Sequence, residues 1–338
     1  MGLDSSTLAW SWFTFVPSWF FQDLIVLLLA AAVIAFILRH DKHPGVALLE
    51  FAAFVFLYAG VYENFATVVG LYRFGRSFVM LFNVPISVPI LEFLVVYASL
   101  RLGRATRLPV WTLPVFAGGM GILMDLVLDP LALSQRANTN EGVTGRWSWL
   151  IQRGDVNVFG APIYNYSGWM LLCGLGAAFL LLGRWWFRRS GENPLVGAVY
   201  PVLSMLVALV ALVCFGGFAL WLAPFYARGG MNEYAVFVFW LAAFLAVVIA
   251  WRGRMRRRLD WRSDWAVPLV FAALQGSNLV FLVLGGRWQI LALAAPVIAI
   301  QWALAGLAFV RARSLPPTPA APPPALEPPW PQLESHER

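Results

Sequence analysis

Residues 109–130 read PVWTLPVFAGGMGILMDLVLDP. From Pro109 to Met124 no side chain is charged, and an apolar run of about 20 residues is what a helix needs to cross a hydrocarbon core. The run then places Asp125 and Asp129 four residues apart, so both carboxyls project from one face of the helix. An ionisable side chain inside a span is costly enough that each one needs a partner or a task. Gly118, Gly119 and Gly121 precede the acids, which lets a neighbouring helix approach closely and bury them in protein rather than lipid. Pro130 disfavours helix beyond Asp129, so the span is expected to end there.

The same pattern extends along the chain. Of 338 residues, 60% are hydrophobic and 12% charged, too little polar surface to solvate a globule, which excludes water-soluble classes. The expected fold class is all-α, a polytopic transmembrane helical bundle. Apolar stretches of spanning length fall at about 19–38, 46–70, 78–100, 109–128, 164–187, 195–224, 231–251, 266–285 and 288–310, giving nine spans, with eight as the alternative. The first stretch follows no basic residue and no small-residue cleavage site, so it is expected to be a retained span rather than a secretory signal. Residues 1–190 and 191–313 are expected to form an N-terminal region bearing the site and a set of additional helices. The proline-rich stretch at 314–338 reads as a disordered tail.

The net charge of +7 has a topological origin. With the N-terminus outside, 17 of the 24 Lys and Arg residues fall in loops on the cytoplasmic side, the distribution expected of a protein of the cell membrane with its C-terminus inside. Basicity here implies membrane lipid as a partner and no nucleic acid. Cys173 and Cys214 lie in apolar runs, where a small buried side chain is the commoner role and a disulfide the rarer one. His40, His43 and His336 form no cluster of metal-ligand spacing, and neither a metal nor another cofactor is expected. The absence of a visible internal repeat weighs against a secondary transporter.

Polar residues that oppose the apolar pattern mark the candidate site. Glu63 falls in the outer third of the second span, the layer that also holds Asp125 and Asp129. Glu50 lies near the opposite end of its helix, and Glu92 follows the two prolines of Val84-Pro-Ile-Ser-Val-Pro-Ile90. Arg73 and Arg76 are placed to bind an anion or orient a carboxylate, although lipid phosphate is an ordinary partner for either. The structural alternative for Asp125 and Asp129 is ion pairing with Arg73, Arg76 or Arg146. The loop at 131–163 carries Trp147, Trp149 and Phe159 and leads into Tyr164 and Tyr166. These aromatics suit either an interfacial belt or a lid along an elongated apolar ligand.

Five blocks in order, Gly70-Leu-Tyr-Arg-Phe-Gly-Arg76, Val84-Pro-Ile-Ser-Val-Pro-Ile90, Asp125-Leu-Val-Leu-Asp-Pro130, Trp147-Ser-Trp149 and Phe159-Gly-Ala-Pro-Ile-Tyr-Asn-Tyr-Ser-Gly-Trp169, resemble the carotenoid biosynthesis membrane proteins that include carotenoid 1,2-hydratases and bisanhydrobacterioruberin hydratase. The resemblance covers about residues 60–170. It departs from the family pattern at Arg73-Phe-Gly-Arg-Ser77 and at Glu92. It implies addition of water across the terminal C=C of an acyclic carotenoid, lycopene-like or longer, to give a tertiary alcohol. Other carotenoid enzymes are possible partners. On this reading Asp125 is the acid, Asp129 or Glu63 positions water, and Asn165 orients them. Trp147, Trp149 and Trp169 wall the pocket, with Tyr164, Arg73 and Arg76 as further substrate contacts. Such chemistry needs a desolvated acid for an unactivated alkene and stabilisation of the cation that forms. The competing readings are a non-catalytic carotenoid-binding or pigment-complex subunit, a lycopene-cyclase-like enzyme, and a prenyltransferase. Against the last, a diphosphate–Mg²⁺ site needs a second acidic motif that the sequence lacks.

Overall fold

The computed structural model describes residues 16–139, 142–150, 156–229, 233–252 and 264–310. The proline-rich stretch at 314–338 lies outside these residues. Helix α1 runs over Ser18–His40. The second span, Pro44–Val68, consists of α2 (Pro44–Ala53), a π-helical stretch (Phe54–Ala59) and α3 (Gly60–Val68). There follow α4 (Ser87–Ala105), α5 (Leu113–Ser134), α6 (Ile163–Arg189) and α7 (Pro194–Gly229). The remaining helices are α8 (Glu233–Trp251), α9 (Ala266–Leu284) and α10 (Trp288–Val310).

Among the described residues, 8 helical segments are long and apolar enough to cross a membrane. Helix α4 is a further helix of membrane length, 19 residues, distinguished by Glu92, Arg101 and Arg104. Glu92 lies where the helix packs against α1, α5, α6, α9 and the π stretch and is buried, whereas Arg101 is half-buried and Arg104 exposed near its C-terminal end. The chain is an integral membrane protein built as an all-α bundle.

Two local expectations are corrected. The third span does not begin at residue 78: Met80–Leu81 and Val84–Pro85 form a short hairpin (β2, β3), with Phe82 at its turn in the left-handed region (φ 57°). Apolar content alone could not separate this hairpin from helix. The helix starts only at Ser87, with Pro89 in its first turn, where a missing N–H is harmless. Nor does α5 end at Asp129, for it continues to Ser134 with Pro130 inside it. So close to the C-terminus the proline removes one hydrogen bond from the final turns, and packing holds the rest in place.

The glycines of α5 act as expected. A Cβ at Gly118 would lie 2.4 Å from the sulfur of Met170, and one at Gly121 2.8 Å from the sulfur of Cys173, both on α6. A Cβ at Gly119 would lie 2.0 Å from the ring of Phe244 on α8. Cys173 and Cys214 are both free thiols. In the second span the π stretch shifts the helix phase between Glu50 and Glu63. It is pinned by Tyr58, whose hydroxyl donates to the Leu172 carbonyl at 2.7 Å, and a Cβ at Gly60 would strike the Val55 carbonyl oxygen.

The connector 69–86 and the described parts of 135–162 lie at one end of the bundle, the upper end. The stretch 131–163, expected as a loop, begins with the last turn of α5, and its described remainder holds paired strands. β4 (Arg136–Thr139) pairs with β5 (Gly142–Gly145), and β7 (Asn157–Val158) with β8 (Ala161–Pro162). β1 (Tyr72–Phe74) pairs antiparallel with β6 (Trp147–Trp149), matching Tyr72 with Trp149 and Phe74 with Trp147. Alternation along these strands puts those four aromatics on one face and Arg73 with Ser148 on the other.

Candidate functional site

The inward face of the β1–β6 pair closes a cavity between α1, α3, α4, α5 and α6. Its lining includes Glu63, Tyr72, Glu92, Asp125, Asp129, Arg146, Trp147, Trp149, Asn165 and Trp169. Its free volume is about 50 Å³, room for roughly three water molecules at ~15 Å³ apiece.

On one side, the i, i+4 spacing of α5 brings Asp125 and Asp129 under the first turn of α6. There Asn165 donates through Nδ2 to Asp125 Oδ2 (2.6 Å) and to Asp129 Oδ2 (2.8 Å). Trp149 Nε1 donates to the same Asp129 oxygen at 2.8 Å. Across the cavity Tyr72 donates its hydroxyl to Glu63 Oε2 at 2.6 Å, and Glu92 lines the same cavity. Burial, reinforced by Glu63, pushes the Tyr72 phenol well above its ordinary range, so it stays a donor. All four acids are buried. Among the described residues, Asp125 Oδ1 and Glu92 Oε2 have no hydrogen-bond partner. Among the described residues, no cation forms an ion pair with any of the four.

Arg146, the nearest guanidinium in the lining, is engaged elsewhere. Its Nη2 donates to Asp23 Oδ1 at 2.9 Å and its Nη1 to Gln22 Oε1 at 2.7 Å. Its planar head lies 5.1 Å from the Trp147 ring. Burial lowers the pKa of this guanidinium, and Asp23 opposes that shift. Asp23 also accepts from Ser77 and, at 2.9 Å, from Ser87. The structural alternative of an ion pair on Asp125 or Asp129 is therefore not what is found.

The candidate residues sort clearly by position. Glu63, Asp125, Asp129, Trp147, Trp149, Asn165 and Trp169 line the one cavity, joined by Glu92. Tyr164 stands behind the wall, its ring 5.9 Å from that of Trp149. Arg73 and Arg76 are exposed and outside the lining. Glu50 lies at the other end of the bundle, gripped by Arg184 Nε (2.7 Å) and Nη2 (2.5 Å) and by the Tyr200 hydroxyl (2.6 Å). Asp23, Tyr72 and Arg146 were missed as site residues. Asp23 interrupts an apolar helix as plainly as Asp125 does, and that signal was available. Among the described residues, no group of three or more His, Cys, Asp or Glu is arranged to hold a metal ion.

No curated protein and no solved structure matches this chain. A family model described as carotenoid biosynthesis protein matches residues 21–251, a stretch that contains every residue of the cavity and more than half of the chain. The chain belongs to the carotenoid biosynthesis protein family.

Proposed function

We propose that this protein is a carotenoid hydratase that adds water across the terminal C=C of an acyclic carotenoid end group. The observation that carries the reading is the convergence of Asp125, Asp129, Glu63 and Glu92 on one buried cavity, with no cation among the described residues paired to any of them. Four carboxylates so placed cannot all be charged, so the set holds protons and can act as both acid and base. Asp129 Oδ2 receives two N–H donors, an arrangement suited to a carboxylate, whereas Asp125 Oδ1 receives none and is free to carry the proton.

In this scheme Asp125 protonates the terminal alkene and the positive charge develops on the branched carbon. The ring faces of Trp147, Trp149 and Trp169 stabilise it. A water held by Asp129 or Glu63 forms the C–O bond, and its departing proton returns to the carboxyl set. One water is consumed and a tertiary alcohol results. Asn165 orients both aspartates. The free space has room for a few waters but not for an isoprenoid end, and on this reading the half-buried Trp149 and Trp169 move outward to admit the substrate. A carotenoid is about as long as the ~30 Å hydrocarbon core, which puts its reacting end at this depth.

Expression in a lycopene-producing host tests the proposal. Hydroxylated pigment is expected from the wild type and none from Asp125→Asn at equal levels of folded protein. Unchanged pigment across several acyclic carotenoids would refute the hydratase reading; cyclised pigment would replace it with a cyclase.

A further inference from the structure

Helices α9 and α10 lie beyond the family-matched residues 21–251, yet they carry three buried amides. Gln275 and Gln301 are 0% exposed and Asn278 is 2% exposed. These amides form one hydrogen-bonded chain. Arg146 Nη1 donates to Gln22 Oε1 (2.7 Å), and Gln22 Nε2 donates to Asn278 Oδ1 (3.2 Å). Asn278 Nδ2 donates to Gln275 Oε1 (3.3 Å), and Gln275 Nε2 to Gln301 Oε1 (2.6 Å). Gln301 Nε2 ends the chain on the Met120 carbonyl (3.1 Å), with a branch from Gln275 Nε2 to the Leu123 carbonyl (3.3 Å).

Every link points the same way. The amide oxygens face back toward the guanidinium and the N–H groups face down toward α5, so the dipoles align in support of a buried cation, and aligned bonds strengthen one another. Gln301 lies about 20 Å along α10 from Trp288 at 1.5 Å per residue. At such depth leucine would pack more cheaply than an amide, whose polar atoms each need a partner. The chain begins on a residue that lines the cavity and ends on the helix that bears Asp125 and Asp129.

We propose that the α9–α10 hairpin is a positioning element of the site, with Asn278, Gln275 and Gln301 acting through Gln22 to fix the Arg146 guanidinium against the cavity and α5 at its depth. The turnover arm of the test rests on the hydratase reading; the stability arm does not.

The full chain is reconstituted in lipid nanodiscs with lycopene. Asn278→Leu is expected to lower kcat about 10-fold with KM within about 2-fold, the scale of a small misplacement of reacting groups. In a Gln22→Leu background, where the chain is already cut, the same substitution should change kcat less than about 2-fold. An equal loss in both backgrounds, or no loss in the first, would overturn the proposal. Gln301→Leu is the second variant, used if Asn278→Leu yields no folded protein. Thermal unfolding of Asn278→Leu, Arg146→Met and the double variant gives the independent arm. Non-additive Tm shifts are expected, and additive shifts would overturn the coupling. A wild type that converts no acyclic carotenoid, with non-additive shifts among the variants, would refute the hydratase reading and leave the coupling standing.

Discussion

Replacing Asn165 by leucine removes the one side chain that ties the two aspartates of α5 together. The loss is uneven. Asp129 keeps its hydrogen bond from Trp149 at 2.8 Å, whereas Asp125 loses the one donor it has among the described residues, where its Oδ1 already has none. Stripping a buried acceptor of its partner costs about 1–3 kcal/mol. Taking about 2 kcal/mol for Asp125 and converting at 1.36 kcal/mol per tenfold gives a fall of roughly 30-fold in turnover, if that bond is what aligns the acid. The assay is single-substrate turnover on reconstituted protein, with products separated by chromatography and normalised to folded protein measured by thermal unfolding. Turnover within about 3-fold of wild type would show that the Asn165 bridge is not part of the chemistry. A loss that merely tracks the loss of folded protein would assign the bridge to stability alone.

At the opposite end, Glu50→Ala leaves Arg184 without its carboxylate, and breaking a buried pair costs about 3–5 kcal/mol. The Arg184 side chain is 20% exposed, which places the expected loss at the low end of that range. The paired replacement Glu50→Leu with Arg184→Leu should unfold at a higher temperature than either single variant, and a double variant weaker than both would contradict the account. Orientation is tested in a background lacking Cys173 and Cys214, with single cysteines at Phe82, 84% exposed, and at Lys42, whose side chain is 74% exposed. A membrane-impermeant maleimide added to intact cells should modify Phe82→Cys and spare Lys42→Cys; the reverse pattern would invert the topology.

The acids were legible because a charge inside an apolar run stands out without any knowledge of the fold. Asp125, Asp129 and Glu63 were read that way, and the same rule applied evenly would have added Asp23. Arg146 was not separable from Arg73 and Arg76, since all three sit in aromatic connectors. Only the pairing of β1 with β6 turns Arg73 outward, and only α1 brings Asp23 to Arg146. The hairpin at 80–85 escaped because hydropathy does not see a turn built from apolar residues. Gln275, Asn278 and Gln301 escaped because an uncharged amide in an apolar run does not demand a partner as a charge does, and its role exists only once α1, α5, α9 and α10 are packed together.

The pairing of Tyr72–Phe74 with Trp147–Trp149 has a consequence for biosynthesis. While the chain is being made, Glu63 enters the bilayer without Tyr72 fixed above it. Asp125 and Asp129 then enter without Trp149 and Asn165, which come later in the sequence. A partial product that ends between Asp125 and about residue 165 therefore leaves acids at membrane depth without the donors that hold them in the finished chain. The site is self-checking: the residues proposed to do the chemistry are also the ones that mark an unfinished molecule as unstable in lipid, and strand closure is the step that removes the mark.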